Sequence, residues 1–363
     1  MKIVLFSDLH LDAPFKWAGP SLGRRLRSAL AETLQRICRL VVDEHADALL
    51  CAGDLYEQEC FTPDTASFLR SSFAELGSTP VFVAPGNHDW YGPESLYRQV
   101  SWSSNVHVFS ESHLTAAPLG DGFTLWGAAH RAPANTDDFL SHFHVDGTSH
   151  NLALFHGSEH GFLTAQEDGK VPHAPFGEEE IPASGLMHAF VGHYHHPRDG
   201  RWLTYAGSPQ PLAFGEGAGK AVVIEMADGE LRRSRVDVSA IAFHDVCVDV
   251  SGAWSMNEIL QRTRAALAGL HGVSRVTLSG ALATAVDFKL EDVIALGAEL
   301  DGIVARVKEL HPAYDLEAIA REQTVRGQFV RDVRTSVMPD DERERVLTVG
   351  LRALDGRTDL EPV

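Results

Sequence analysis

The sequence predicts an α/β fold: a larger domain over residues 1–239, a smaller α+β domain over 240–312 and a helical tail over 313–363. Three observations lead there. Short apolar runs alternate with stretches of helical periodicity, as in a protein built on a parallel sheet. Five of those runs end directly at residues of metal-ligand type. Ile3 to Ser7 runs into Asp8-Leu9-His10, Ala48 to Ala52 into Gly53-Asp54, and Val81 to Pro85 into Gly86-Asn87-His88-Asp89. Leu152 to Phe155 runs into His156, and Ala189 to Val191 into Gly192-His193-Tyr194-His195. Near residue 240 the ligand-type residues stop and a new β-α-β alternation begins. Parallel sheets carry their sites at the carboxyl ends of the strands, so the pattern predicts one rim lined with carboxylate, imidazole and amide.

The elements follow in order. Met1 to Ser7 reads as the first strand, so no signal peptide is expected. Leu26, Leu30, Leu34, Ile37 and Val41 recur at three- and four-residue spacing, which predicts an amphipathic crossover helix leading to the strand at Ala48. Thr62-Pro63 opens a second helix with a hydroxyl cap and a proline in the first turn. Phe68, Leu69, Phe73 and Leu76 form its buried face and Gly77 ends it before the third strand. From Trp202 to Val238 the pattern changes to hairpins: Ala221 to Met226, a turn at Asp228-Gly229, then Leu231 to Val238. These residues are expected to form an antiparallel closing layer. In the second domain Phe243 to Val250 reads as a strand, Ser255-Met256-Asn257-Glu258 as a capping box opening a helix, and Arg275 to Leu278 as another strand. Beyond Pro312 the chain turns helical and charged, with Leu316, Ile319, Val325, Phe329, Val330 and Val333 on one side, followed by Asp340 to Leu354.

Composition narrows the classes. A 363-residue chain that is 44% apolar has enough material for a sizeable core. Cys38, Cys51, Cys60 and Cys247 show no CxxC spacing, which argues against a disulfide framework or a zinc–thiolate site. No apolar stretch reaches transmembrane length, so a soluble cytoplasmic protein with no membrane association is expected. A net charge of −19 argues against polyanion binding over the whole surface but allows a narrow basic path. Candidates for such a path are Arg24, Arg25, Arg27, Arg198, Arg201, Arg232, Arg233 and Arg235, each of which also reads as part of a solvated face.

The ligand-type residues carry oxygen and nitrogen but no sulfur, a set suited to hard or borderline divalent ions such as manganese, iron or zinc. Asp8 and His10 are expected to reach one ion together, because residues i and i+2 of an extended segment point the same way. Asp54 is the carboxylate placed to bridge two ions roughly 3.5 to 4 Å apart. Asn87 offers an amide oxygen, and His156, His193 and His195 offer imidazoles. Two divalent ions against two carboxylates leave a site of charge about +2, which draws in phosphate. His88 stands apart as a phosphate clamp or proton donor to the leaving oxygen, with Asp89 expected to accept its ring N–H and raise its basicity. His130, after Trp126-Gly127-Ala128-Ala129, is a further candidate for touching substrate.

In this order, D-x-H, G-D, G-N-H-D, a single H and G-H-x-H resemble the calcineurin-like metallophosphoesterase superfamily over residues 1 to about 210. Within it the chain resembles the SbcD-type DNA repair exonucleases, including their YhaO-like branch. Three features carry this: Gly207-Ser208-Pro209-Gln210-Pro211-Leu212, the smaller domain after residue 240, and Thr324-Val325-Arg326-Gly327-Gln328-Phe329-Val330-Arg331. The resemblance implies a β-sandwich flanked by helices, with a smaller C-terminal capping domain and a helical tail. It implies one ion on Asp8, His10, Asp54 and His195, a second on Asp54, Asn87, His156 and His193, and His88 as the catalytic histidine that binds neither. Manganese is the metal it implies, with iron, zinc or magnesium as alternatives. The partners it implies are DNA and an SMC-like ATPase of the SbcC or YhaN type, whose coiled coil docks on the C-terminal helices. The expected protein is therefore a two-metal phosphodiesterase acting as a DNA exonuclease or endonuclease by in-line hydrolysis. The rival readings are a phosphoesterase for a small nucleotide or a phosphoprotein, and a catalytically silent scaffold of the same fold. A homodimer is compatible with either.

Overall fold

The computed structural model describes residues 1–145, 150–162, 172–227, 229–284 and 286–356. The chain divides into two compact units, Met1–Ala242 and Phe243–Val363. In the first, two six-stranded mixed sheets form a sandwich. One sheet has the order β12-β11-β1-β2-β3-β4, the other β5-β6-β7-β8-β10-β9. Strands β1 (Lys2–Phe6), β2 (Ala48–Cys51), β3 (Val81–Val83) and β4 (Val106–Val108) run parallel. So do β6 (Phe123–Gly127), β7 (His150–His156), β8 (His188–Gly192) and β10 (Leu203–Tyr205) of the other sheet. The edges of that sheet are β5 (Thr115–Gly120) and β9 (Arg198–Asp199), both antiparallel to their neighbours.

The five apolar runs are thus strands, but they divide between two sheets rather than sharing one. Ile3, Leu5, Ala48 and Leu50 from the first sheet pack against Leu152, Leu154 and Phe190 from the second. This core brings the carboxyl ends of β1, β2 and β3 together with those of β7 and β8. The hairpin β11 (Lys220–Ala227) and β12 (Glu230–Asp237) forms, yet it makes no separate closing layer: β11 pairs antiparallel with β1 and extends the first sheet. Gly229 lies in its turn, and Asp228 lies outside the described residues.

Helix α1 (Pro20–Asp43) buries Leu26, Leu30, Leu34, Ile37 and Val41, the stripe that its periodicity predicts. Helix α2 (Pro63–Ala74) is capped as the sequence suggests: the Thr62 side chain accepts from the Thr65 amide, and the Thr65 hydroxyl from the Thr62 amide. Removal of such a cap costs about 1 kcal/mol.

In the second unit β13 (Phe243–Asp249), β14 (Val273–Leu282) and β15 (Gly302–Pro312) form a parallel three-stranded sheet. Between the first two lies an α-helix, Met256–Leu267, whose N-cap Ser255 accepts from the Glu258 amide. The Glu258 carboxylate caps the Trp254 amide rather than returning to Ser255. Of the tail, residues 357–363 lie outside the described residues. The helices Leu316–Ala320, Val325–Thr335 and Asp340–Leu354 bury Ile319, Val330, Val333, Leu347 and Leu351 against one another.

Candidate metal centre

Where the two sheets meet, backbone groups knit the strand ends together. The Asp8 amide donates to Gly53 O at 2.9 Å and the His10 amide to Asp54 O at 2.9 Å. Across the sandwich the His193 amide donates to the Asp8 carboxylate at 3.0 and 3.2 Å. Asp8, His10 and Asp54 sit at φ of 55°, 52° and 52°, and His193 at 108°. Left-handed backbone at four non-glycine residues of one rim is strain held by its surroundings, a feature that clusters at functional sites. It also corrects the expectation for Asp8 and His10: they reach the same place from two left-handed turns, not from an extended segment. Gly192 is needed for a different reason. A Cβ there would run into Ala52 O and stand 2.8 Å from Ser7 Cβ and 2.9 Å from His156 Nδ1.

The side chains converge. His156 Nε2 lies 3.2 Å and His10 Nε2 3.6 Å from the same oxygen, Oδ2 of Asp54. Asn87 Oδ1 is 3.1 Å from His156 Nε2 and 3.2 Å from His193 Nδ1, and those two ring nitrogens are 3.2 Å apart. Ligand atoms of Asp8, His10 and His195 form one group, and those of Asp8, Asp54 and His156 another, each with members within 4.8 Å of one another. The structure therefore brings together Asp8, His10, Asp54, Asn87, His156, His193 and His195, with Asp8 in both groups and Asp54 of the second 3.6 Å from His10 of the first.

The second layer tells which ring nitrogens face inward. His10 Nδ1 donates to Glu57 Oε1 at 2.8 Å, His156 Nδ1 to Ala52 O at 2.9 Å, and His195 Nδ1 to Glu216 Oε1 at 3.1 Å. With the proton held at Nδ1, each ring turns its Nε2 lone pair to the centre, the arrangement that metal-ligating histidines adopt. His10 Nε2 is buried with no hydrogen-bond partner at all. Charge points the same way. Burial pushes the Asp54 carboxyl up, but the His156, His10 and His88 rings outweigh it and hold it well below the usual carboxylate range. Burial likewise pulls His156 down, and the carboxylates of Asp54 and Asp8 reverse this and raise it to about 9. A centre that attracts protons so strongly, with inward lone pairs and an orphaned buried nitrogen, fits a divalent cation.

His88 differs from these seven. It is half exposed, its ring 4.7 Å from that of His10, and its Nδ1 donates to Glu57 Oε2 at 3.0 Å. Glu57 thus holds a centre-facing ring and His88 with one carboxylate. Burial lowers the His88 pKa, and Glu57 and Asp54 together raise it to about 9. The pairing of His88 with Asp89 does not occur. Asp89 is fully buried and accepts from the amides of Asp54 at 3.1 Å, Leu55 at 2.8 Å and Gly86 at 2.6 Å, and from the Tyr97 hydroxyl. Those donors turn it away from the ring, and it fastens the turns that carry Asp54 and Asn87. Nor can His130 reach substrate: it is fully buried, donates from Nε2 to His156 O at 2.8 Å and accepts at Nδ1 from the Thr136 hydroxyl. Burial pushes its pKa down to about 3, so it backs His156 as a neutral ring.

Glu57 and Glu216 are the residues that sequence reasoning missed. Glu57 follows Asp54 by three positions, and a search for carboxylates in the loop after each ligand-type residue would have found it. Several basic candidates are already engaged: Arg198 with Glu159 at 2.7 Å, Arg235 with Asp199 at 2.8 Å and Arg232 with Glu230 at 3.0 Å.

Comparison with known proteins places the chain in a family. The model of the calcineurin-like phosphoesterase family matches residues 1–197, more than half of the chain. The chain belongs to that family of metal-dependent phosphoester hydrolases. It is 26% identical over 278 residues to a protein of Bacillus subtilis (strain 168) described as uncharacterized metallophosphoesterase YhaO, covering 70% of this chain and 64% of the relative. It is 24% identical over 268 residues to the SbcD component of nuclease SbcCD from the same organism, covering 63% of this chain and 66% of that one. The match spans just under two thirds of each of these relatives. Among solved structures, a dimetal phosphatase from Danio rerio aligns at 12% identity and a TM-score of 0.41, over 65% of this chain and 96% of its own. Among the described residues no helix is long and apolar enough to cross a membrane.

Proposed function

We propose that the protein is a two-metal phosphodiesterase that cleaves DNA, acting as an exonuclease or endonuclease with manganese as the working metal. The observation that carries the hydrolytic reading is the division of labour at the rim: seven donors face inward, while His88 alone is presented outward on a carboxylate. Asp8, His10, Asp54 and His195 would hold one ion, and Asp54, Asn87, His156 and His193 the other. When bound, two such ions supply electrophilic activation of the phosphoryl group and acidify the attacking water. The chain's own residues do the rest. Glu57 accepts from His88 Nδ1 and keeps the ring protonated, so that its Nε2–H can pair with a phosphate oxygen or pass its proton to the leaving group. Asp89, tied to three amides, keeps the left-handed turn at Asp54 from relaxing and fastens it to Gly86, beside Asn87.

Similarity to the SbcD component of nuclease SbcCD supports DNA as the substrate, and so does a second unit that a small ester would not require. The same relationship supports an SMC-like ATPase as the partner and the cytoplasm as the location, with the tail helices as the docking segment. The test is a metal-dependence screen on labelled single- and double-stranded DNA beside a chromogenic phosphodiester. Cleavage of DNA and of the ester, both restored by manganese after chelation, is expected. Metal-dependent hydrolysis of the ester with DNA left intact would overturn the nuclease reading and favour a small-substrate phosphoesterase.

A further inference from the structure

At the rim opposite the converging donors, the amino-terminal ends of β6, β7 and β8 meet the turns that lead into β10 and join β11 to β12. There they enclose a cavity of about 530 Å³. That size is typical of a small-molecule site. One side is apolar, formed by Phe123, Leu152, Met226 and Leu231, and continues into the main core. The other is formed by Arg233 and Arg201, whose guanidinium lies over the Trp202 ring at 4.6 Å.

Arg233 is fixed in place. Its Nε donates to the Thr204 hydroxyl at 2.8 Å and its Nη2 to Gly200 O at 3.1 Å, and its side chain is 20% exposed. What it lacks is a close counter-charge. Asp199 stands 3.8 Å away and is itself bound by Arg235 at 2.8 Å, and Glu178, which also acts on Arg233, accepts from the Trp202 amide at 3.0 Å. Glu230, the carboxylate among the described lining residues, pairs with Arg232 at 3.0 Å. Among the described lining residues positive charge therefore exceeds negative charge, although the chain carries −19 overall. An immobilised, poorly neutralised guanidinium beside an apolar wall is a receptor for an anion with an apolar body.

We propose that this cavity binds a small amphiphilic anion, an aromatic or short-chain carboxylate or sulfonate. Its body lies against Phe123, Leu152 and Leu231, and its head group pairs with Arg233 and Arg201. The site is separate from the metal centre, and nothing in its chemistry requires a metal.

The test uses the full chain and the fluorescent probe 1-anilinonaphthalene-8-sulfonate. One probe per chain is expected, displaced by benzoate and much less by benzyl alcohol. Arg201→Glu, a change at an exposed side chain, is expected to weaken the probe by at least about tenfold, whereas Arg201→Lys stays within about threefold of the wild type. Ala227→Trp, which fills the mouth, is expected to abolish saturable binding. Probe affinity unchanged in both Arg201→Glu and Ala227→Trp, or equal displacement by the acid and the alcohol, would overturn the proposal.

Discussion

Glu57→Gln is the most informative substitution, because one carboxylate serves two rings. Oε1 accepts from His10 Nδ1 at 2.8 Å and Oε2 from His88 Nδ1 at 3.0 Å. The glutamine amide keeps the shape but has one acceptor oxygen, so its NH₂ must face whichever ring N–H loses its partner. A hydrogen bond to a charged group contributes about 1.5–3 kcal/mol. Lost from the transition state, that amounts to a fall in rate of roughly 10- to 150-fold. If the amide instead deserts His10, the loss falls on metal binding, where breaking such a partnership weakens affinity by about 10- to 100-fold. The assay is hydrolysis of a chromogenic phosphodiester over a manganese titration, which separates kcat at saturating metal from the apparent metal affinity. Either quantity, or both, should fall by those factors. If both stay within about threefold of the wild type, Glu57 positions neither ring and the reasoning fails.

Three further outcomes follow. His88→Ala should keep its metal content by elemental analysis while the rate falls by at least ~10²-fold; metal loss would make His88 a ligand. Gly192→Ala should fold but lose metal, because the added methyl pushes against Ala52 O and the His156 ring; wild-type metal content would show that the strand ends have room to spare. His188 makes stability fall in acid. Burial, aided by Arg233, pushes its pKa down to about 3, so between pH 6.5 and 3 the unfolded chain binds the proton that the folded chain refuses. At pH 5 this costs about 2 kcal/mol relative to neutral pH, so His188→Gln should flatten the drop in Tm between pH 7 and 5. An unchanged drop would refute it.

The donors were legible because each stands at the end of a short strand, where backbone position follows from the apolar run before it. What the runs do not encode is which sheet a strand joins: Leu152 to Phe155 is as apolar in one sheet of a sandwich as in another. Asp89 was misread for a related reason. Adjacency to His88 in sequence suggested a pair, but the left-handed turn at Asp54 presents the amides of Asp54 and Leu55 to that carboxylate and leaves the ring to Glu57. His130, expected as a candidate for touching substrate, lies instead behind the interior strand β6, its ring folded back under His156. Strand β15 went unnoticed although Ile303, Ala305 and Val307 alternate with Val304, Arg306 and Lys308, because charge obscured the period of two. In the tail, Val333 and Leu347 pack within the three helices, a contact that spacing along one helix cannot reveal.

Asp54 is proposed to bridge a pair of ions. Electron paramagnetic resonance of the full chain loaded with two equivalents of manganese tests it most directly, since two ions sharing a carboxylate oxygen couple magnetically. The multiline spectrum of an exchange-coupled pair is expected, lost in Asp54→Ala. A six-line spectrum of isolated ions at two equivalents, unchanged by that substitution, would contradict it.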